Sequence, residues 1–241
     1  MAAKVHIGTS GWHYKHWRGL FYPKELPAAK MLEFFTHHFS TVEINNTFYR
    51  LPTESALQSW REAVPRGFLF AVKGSRFITH MKKLRDPENA IAIFFERIRA
   101  LGKTLGPILF QLPPRWPVNA ERLEEFLGLI PRNHQYVFEF REASWCCSDV
   151  YKILERHNAA LCMHDWGGSE WPGELTANFA YVRMHGPGGA YHGDYDARML
   201  KSWVKRIEKW EQLTTVFVYF NNDQGGYAIK NAKELLQFLD L

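Results

Sequence analysis

The stretch YVFEFR, residues 136–141, begins with three apolar residues and then alternates polar and apolar side chains. Successive side chains of a β-strand point to opposite faces, so Phe138 and Phe140 share one face and Glu139 and Arg141 share the other. A strand that packs one face on helices and ends in polar side chains on the other is typical of an α/β barrel. We therefore predict a barrel strand whose last residues face a polar site.

Seven other short runs of β-branched and aromatic residues recur along the chain, with helix-like stretches between them. The eight runs begin near Val5, Thr41, Phe68, Pro107, Tyr136, Ala160, Phe179 and Val216. Strands that alternate with helices form parallel sheets, and 241 residues is a usual length for an eightfold barrel. We predict one domain over residues 1–241, a (β/α)8 TIM-type barrel.

One repeat of this predicted barrel is defective. Between Asp165 and Asn178 the chain holds three glycines and a proline, namely Gly167, Gly168, Gly173 and Pro172. These residues disfavour a helix, so the sixth helix is expected to be short or missing. An open doubly wound sheet is the alternative fold, but the first turn reads GTSGW (8–12) and lacks the GxGxxG spacing of dinucleotide-binding members.

Composition limits the class of protein and its partners. Thirty Lys and Arg against 25 Asp and Glu give a net charge of +5, which favours anionic partners without requiring nucleic acid. Two of the three cysteines, Cys146 and Cys147, are adjacent, and a disulfide between them would be strained, so a reducing cytoplasm is the expected location. No apolar run approaches the roughly 20 residues of a membrane span, and no membrane partner or secretion signal is expected.

Polar residues spaced two apart end most of the predicted strands, on the face of the barrel where active sites of this fold lie. The residues expected to be catalytic, as acids, bases or an amine suited to general-base or Schiff-base chemistry, are Glu43, Lys73, Glu139, Asp165 and His185. The residues expected to bind substrate are Trp12, Asn45, Arg76, Gln111, Arg141, Arg183, Tyr219, Asn221 and Asn222. The alternative is that the charged groups only neutralise one another inside the barrel.

Cations are prominent in this set, and guanidinium groups suit bidentate contact with phosphate or carboxylate. The leading hypothesis is therefore an enzyme, a hydrolase or lyase, that acts on a phosphorylated or other anionic small substrate. The second is a nucleic-acid-binding or endonuclease-like barrel that uses Lys82, Lys83 and Arg85. Glycoside hydrolysis comes third, because Gln111 and the Arg183 to His185 segment occupy the places where the large glycosidase clan of this fold carries its acids.

No cofactor is predicted. A divalent metal is conceivable from four potential ligands, namely Glu43, His164, Asp165 and His185. Their spacing matches no compact metal-binding motif, so we expect no metal site.

Eight segments in a characteristic order run over nearly the whole chain. They are GTSGW (8–12), TVEIN (41–45), FYRLP (48–52), FAVKGSR (70–76), QLPP (111–114), EFR (139–141), YVRMHG (181–186) and YFNND (219–223). Together they resemble the domain of unknown function 72, or YecE-like, family. The resemblance implies a TIM-type barrel and no particular activity. The chain departs from the family pattern at Glu142 and Ala143, where relatives often carry His-Pro, so no role is expected for a histidine in that loop.

Overall fold

The computed structural model describes residues 3–166, 173–189 and 191–241. Within these ranges the chain forms eight strands that surround a common axis. They are β1 (Lys4–Thr9), β2 (Thr41–Ile44), β3 (Leu69–Lys73), β4 (Leu105–Gln111), β5 (Tyr136–Glu139), β6 (Ala160–His164), β7 (Phe179–Met184) and β8 (Thr215–Phe220). All hydrogen-bonded pairs are parallel. Their order is β1-β8-β7-β6-β5-β4-β3-β2, and a bridge between Ser10 and Glu43 joins the two ends of the sheet, which confirms the predicted barrel.

The described helices lie on the outside of the barrel. They are α1 (Met31–Thr36), α2 (Glu54–Glu62), α3 (Glu88–Ile98), α4 (Ala120–Leu129), α5 (Ser148–Arg156), α6 (Ala197–Glu208) and α7 (Tyr227–Phe238). Side chains of Thr53, Asn119 and Asp196 accept backbone hydrogen bonds and cap α2, α4 and α6. Of the described residues between β6 and β7, 165–166 and 173–178, none is in an α-helix, as expected for the sixth repeat. Gly167, Gly168 and Pro172 lie outside the described residues.

Strand alternation divides the apolar side chains into two cores. One core lies between strands and helices, where Val42, Phe70, Phe110 and Phe138 are fully buried. The other fills the barrel itself and consists of Ala71, Leu109, Val137, Ala160, Cys162, Phe179, Tyr181, Phe217 and Tyr219. The inward residues that follow along the same strands are polar, so the ionisable groups lie above this inner core, toward the carboxyl ends of the strands.

Two findings concern the class of protein. None of the helices in the described ranges has both the length and the apolar character that a bilayer crossing needs. All three cysteines are free: Cys146 and Cys147 are partly exposed, and Cys162 is buried in the inner core.

The approach of β1 to β2 requires a glycine at position 8. A Cβ atom on Gly8 would overlap the backbone carbonyl of Thr41, which cannot move without displacing β2. Gly8→Ala is therefore expected to lower the free energy of unfolding by about 3 kcal/mol, measured by urea denaturation. The control is Gly128→Ala in α4, where the added Cβ meets no atom within 4 Å and about 0.5 kcal/mol of stabilisation is expected. Equal stabilities of the two variants would contradict the close approach.

Candidate functional site

A buried ion-pair network lies at the centre of the barrel mouth, with Arg183 of β7 between two carboxylates. Arg183 Nε and Nη2 lie 2.9 and 2.8 Å from the two carboxylate oxygens of Glu43, and Nη1 lies 2.7 Å from Glu139 Oε2. Ser10 Oγ and Tyr181 Oη also donate to Glu43, at 2.6 and 2.7 Å. Arg183 is 2% exposed and both glutamates are fully buried. Every nitrogen of this guanidinium therefore has a protein carboxylate as its partner.

The charges in this network keep both carboxylates ionised. Burial alone would raise the pKa of Glu43, but the charge and hydrogen bonds of Arg183 outweigh burial and lower that pKa. Burial likewise opposes ionisation of Glu139, and the charges of Arg183 and Arg141 hold its pKa well below the ordinary value. In this geometry Arg183 contacts two protein carboxylates, and Glu43 and Glu139 compensate its charge. The ligand-binding role expected of Arg183 and the proton-transfer roles expected of the two glutamates stay predictions.

Arg141, which follows β5, has an incomplete set of partners. Its Nη2 contacts the Glu139 carboxylate and lies 3.2 Å from His185 Nε2. Among the residues that the structure describes, no hydrogen-bond partner meets its buried Nε and Nη1, and the side chain is 7% exposed. The Trp166 ring covers the guanidinium, with Cζ 4.0 Å from the ring centroid. Because an unpaired buried N–H of a charged group is costly, these two donors are placed to meet an acceptor from outside the chain.

Lys73 ends β3 and brings an amine to the same mouth. Its Nζ lies 4.3 Å from the centroid of the Phe48 ring. No hydrogen bond or ion pair joins this nitrogen to another of the described residues. Burial and then the charge of Arg183 lower the pKa of Lys73 to about 8, although the nearby Glu139 and Glu43 oppose the shift. A fraction of this lysine is therefore a neutral amine near neutral pH.

His185 lies behind Arg141 as a neutral imidazole. Its Nε2 is 3.2 Å from Arg141 Nη2 and 3.5 Å from Arg183 Nη1. Guanidinium nitrogens only donate, so Nε2 accepts and cannot carry a proton. Burial, assisted by the charge of Arg183, lowers the pKa of His185 to about 3. The expected catalytic histidine thus uses its lone pair on the protein's own arginines and orients Arg141.

Asp165 holds the loop that follows β7 through hydrogen bonds. Its Oδ1 accepts the backbone N–H of His185 at 2.6 Å, and its Oδ2 accepts from the Tyr195 hydroxyl. Tyr195 Oη in turn accepts the backbone N–H of Gly186 at 2.7 Å. Burial raises the pKa of Asp165. These contacts hold the loop in position, and the proton-transfer role expected of Asp165 stays a prediction.

Two other expected residues belong to the mouth. Gln111 Nε2 donates to Glu139 Oε1 at 2.8 Å, and Asn221 lies 3.1 Å from His185 Nδ1. The structure therefore brings eight of the expected site residues together at the carboxyl ends of the strands: Glu43, Lys73, Gln111, Glu139, Arg141, Arg183, His185 and Asn221.

The remaining expected substrate-binding residues lie elsewhere. Trp12 and Asn45 line a groove of about 640 Å³ beside the barrel, where the Trp12 ring packs edge-on against Trp60. Tyr219 is buried in the inner core with its hydroxyl on Thr41. Asn222 points toward α7 and donates to Asn231. Arg76 is exposed on the rim above the Tyr49 ring.

Sequence reasoning did not place Ser10, Tyr181 or Tyr195 in the site. Tyr181 lies two residues before Arg183 on the inward face of β7, so strand alternation could have identified it. Ser10 likewise lies two residues after Gly8 of β1. Tyr195 lies in the long loop between β7 and α6, where no periodic pattern indicates which way a side chain points.

The four potential metal ligands are engaged with other groups. Glu43 pairs with Arg183, Asp165 accepts from Tyr195, and His164 Nε2 lies 3.0 Å from the carbonyl oxygen of Phe140. Within the ranges that the structure describes, no three His, Cys, Asp or Glu side chains form a group that could hold a metal ion.

Comparisons with known proteins agree over the whole barrel. A family model described as "Protein of unknown function DUF72" matches residues 6–241. UPF0759 protein YecE of Escherichia coli (strain K12) is 30% identical over 261 residues, which cover 98% of this chain and 91% of YecE. UPF0759 protein YunF of Bacillus subtilis (strain 168) is 27% identical over 275 residues, with 98% and 95% covered. A crystal structure of a DUF72 family protein from Thermotoga maritima MSB8 has a TM-score of 0.89 and 26% identity, with 99% and 100% covered.

Proposed function

Because this chain belongs to the DUF72 family, whose description states no activity, we propose its function from the barrel mouth: it is an enzyme, a hydrolase or lyase, that binds a small anionic substrate. The observation that carries this proposal is Arg141, which is almost fully buried and yet has two N–H groups that meet no partner in the described part of the chain. Of the arginines expected to hold the anion, Arg141 is the one this proposal uses, because the donors of Arg183 are already used.

The charge balance of the mouth supports an anionic ligand. Glu43 and Glu139 compensate the two guanidinium groups of Arg183 and Arg141, and the ammonium group of Lys73 adds a further positive charge. The Trp166 ring shields one face of Arg141 from water, which strengthens a hydrogen bond between that arginine and an anion. A phosphate or carboxylate group that accepts from Nε and Nη1 would satisfy the open donors.

The amine of Lys73 supports an enzyme rather than a binding protein. Its pKa of about 8 allows it to exchange a proton near neutral pH, beside the proposed anion ligand. Glycoside hydrolysis has no such support, since Glu43 and Glu139 both accept from the same arginine and leave no separate acid and base. Nucleic-acid binding would use Lys82, Lys83 and Arg85. These side chains are exposed to solvent, so none of them has a buried N–H group that needs an acceptor.

Arg141→Met tests the proposal because it keeps an apolar side chain under Trp166 and removes the donors. The affinity for an anion is expected to fall roughly 100-fold, from the loss of two charged hydrogen bonds worth about 1.5 kcal/mol each. Phosphate, phosphorylated metabolites and small carboxylates would be titrated by calorimetry and by the shift of the thermal unfolding temperature.

Arg76→Met is the matched control, because it removes one positive charge from the exposed rim and leaves the buried donors intact. It is expected to retain anion binding within about threefold, the effect of one screened surface charge. Absence of anion-dependent stabilisation in the unmodified protein, or unchanged binding by Arg141→Met, would reject the proposal.

A further inference from the structure

We propose that Lys73 forms an imine with the carbonyl group of a small substrate whose carboxylate or phosphate group is held by Arg141. This inference rests on the proposed function and names the substrate class: a 2-oxo acid, or a phosphorylated aldehyde or ketone. Four observations support it, namely the positions of the two cations, the lack of an ion pair between the amine and the other described residues, the burial of the amine, and a neutral imidazole packed on the same phenylalanine ring.

The first observation is the position of the two cations on the barrel. Lys73 ends β3 and Arg141 follows β5, with β4 between them. Neighbouring strands are about 4.8 Å apart, so the two backbones are separated by about 10 Å. Both side chains point into the mouth, and the charge of Arg141 lowers the pKa of Lys73. This spacing suits a molecule of a few carbon atoms that carries an anionic group at one end and a carbonyl carbon near the other.

The second observation is that the carboxylates of the mouth do not bind the amine. Glu43 and Glu139 both accept from Arg183, and the Glu139 carboxylate also contacts Arg141 and Gln111. Lys73 Nζ instead lies over the apolar face of Phe48. A lysine without a carboxylate partner keeps its nitrogen lone pair available once the proton leaves, which is the state that attacks a carbonyl carbon.

The third observation is that burial favours this neutral state. Desolvation is the largest cause of the lowered pKa of Lys73, which is about 8. At pH 8 about half of the amine would be unprotonated, whereas an ordinary exposed lysine is almost fully charged there. The amine is thus activated by its surroundings and not by a single neighbouring base.

The fourth observation is His80, whose ring lies 4.9 Å from the centroid of the same Phe48 ring. Burial and the charge of Lys73 lower the pKa of His80 to about 4, so its imidazole is neutral near pH 7. His80 Nδ1 lies 2.9 Å from Thr79 Oγ1, which holds the ring. We assign His80 the transfer of the proton that the amine loses.

The step balances without an external oxidant or reductant. The Lys73 nitrogen lone pair forms a bond to the carbonyl carbon, and the π electrons of the C=O bond move to oxygen. A proton passes from nitrogen to His80 and from there to oxygen, which gives a carbinolamine. The nitrogen lone pair then expels the hydroxyl group, which takes a proton from solvent and leaves as one water molecule, so that the C=N bond forms as a protonated imine. The imine can then withdraw electrons from a neighbouring bond, as a lyase requires.

Borohydride trapping tests the inference in the full-length protein. The probes are pyruvate and dihydroxyacetone phosphate, each incubated with the protein and sodium borohydride, which reduces an imine to a stable secondary amine. Peptide mass spectrometry is expected to locate the adduct on Lys73, at least tenfold enriched over any other lysine. The Lys73→Arg variant should lose that adduct, and Arg141→Met should reduce it at least tenfold. Lys152→Arg, which changes an exposed lysine, should leave the yield unchanged.

Matched anions without a carbonyl group separate the two proposals. Lactate and glycerol phosphate retain the anionic group of each probe and cannot form an imine. If they stabilise the protein through Arg141 while neither carbonyl probe marks Lys73, the imine is rejected and anion binding stands. If none of the four compounds binds, both proposals fail. Because the adduct is mapped in the unmodified protein, the result does not depend on the folding of a variant. Labelling spread evenly over the surface lysines would also contradict the proposed imine.

Discussion

Replacement of Arg183 by methionine is expected to destabilise the protein by about 3–5 kcal/mol, a large part of the stability of an ordinary domain. Arg183 is the main counter-ion of two carboxylates that are fully buried, Glu43 and Glu139. Without it, Glu43 keeps only the hydroxyl donors Ser10 and Tyr181, which carry no charge. Each carboxylate must then remain charged in an apolar interior or take up a proton, and both outcomes cost free energy.

Urea denaturation followed by circular dichroism would measure this loss. The triple variant Arg183→Met, Glu43→Gln, Glu139→Gln is expected to recover more than half of it, because neutral amides need no counter-ion. Arg141→Met is the matched single control, since Glu139 retains Arg183 and Gln111 when Arg141 is removed. If Arg183→Met were as stable as Arg141→Met, the ion pairs would not centre on Arg183.

Strand alternation was sufficient to predict which ionisable residues face the barrel interior. Glu43, Glu139 and Arg183 each lie two residues from another inward residue of the same strand, and the structure places all three inside. Alternation could not predict their partners. Glu43 on β2 pairs with Arg183 on β7, three strand positions away around the barrel, and that pairing depends on side-chain reach across the interior. The sequence therefore indicated a cation-rich mouth but not which arginine has open donors.

Alternation also fails where a strand ends, and this explains the residues that lie away from the mouth. Asn45 has φ −97° and ψ −23° and leads into a short 3-10 helix, Asn46–Phe48, so it leaves the inward face and lines the side groove. Trp12 follows Gly11, whose φ of +91° takes the backbone out of the extended conformation of β1. The absence of an α-helix among the described residues 165–166 and 173–178, by contrast, could be predicted, because glycine and proline act on the local backbone whatever the tertiary contacts.

Acidification from pH 7.5 to 5 is expected to lower the free energy of unfolding by several kcal/mol through three buried histidines. His6, His164 and His185 are each at most 3% exposed. Burial is the main cause that lowers the pKa of His6 and His164 to about 4 and that of His185 to about 3. In the unfolded chain a histidine has a pKa of about 6.5. Below pH 6.5 these histidines are therefore protonated in the unfolded state but not in the folded state. Their full contribution to the free energy of unfolding is present above pH 6.5 and decreases as the pH falls toward 4.

The carboxylates contribute in a lower pH window, because their pKa values are also lowered by folding. The stability from Glu43 and Glu139 is complete above the unfolded value of about 4.3 and is lost only below it. The decrease between pH 6.5 and 5 therefore belongs to the histidines, at about 1.4 kcal/mol per pH unit for each. Denaturation by urea at pH 7.5, 6.5, 5.5 and 5 would measure it.

His6→Phe isolates one histidine far from the site. His6 lies at the opposite end of the barrel, where its ring stacks on Phe217 with centroids 5.3 Å apart, and a phenylalanine retains that packing. The variant loses the 3.1 Å hydrogen bond to Ser40 Oγ at every pH, which lowers its stability by a constant amount. Between pH 7.5 and 5 the free energy of unfolding of the variant is expected to fall by about 1–2 kcal/mol less than that of the unmodified protein, because its unfolded chain has one fewer group to protonate. If the free energy of unfolding depended on pH equally in the two proteins, His6 would have the same pKa in the folded and unfolded states. That result would contradict the effect expected from its burial.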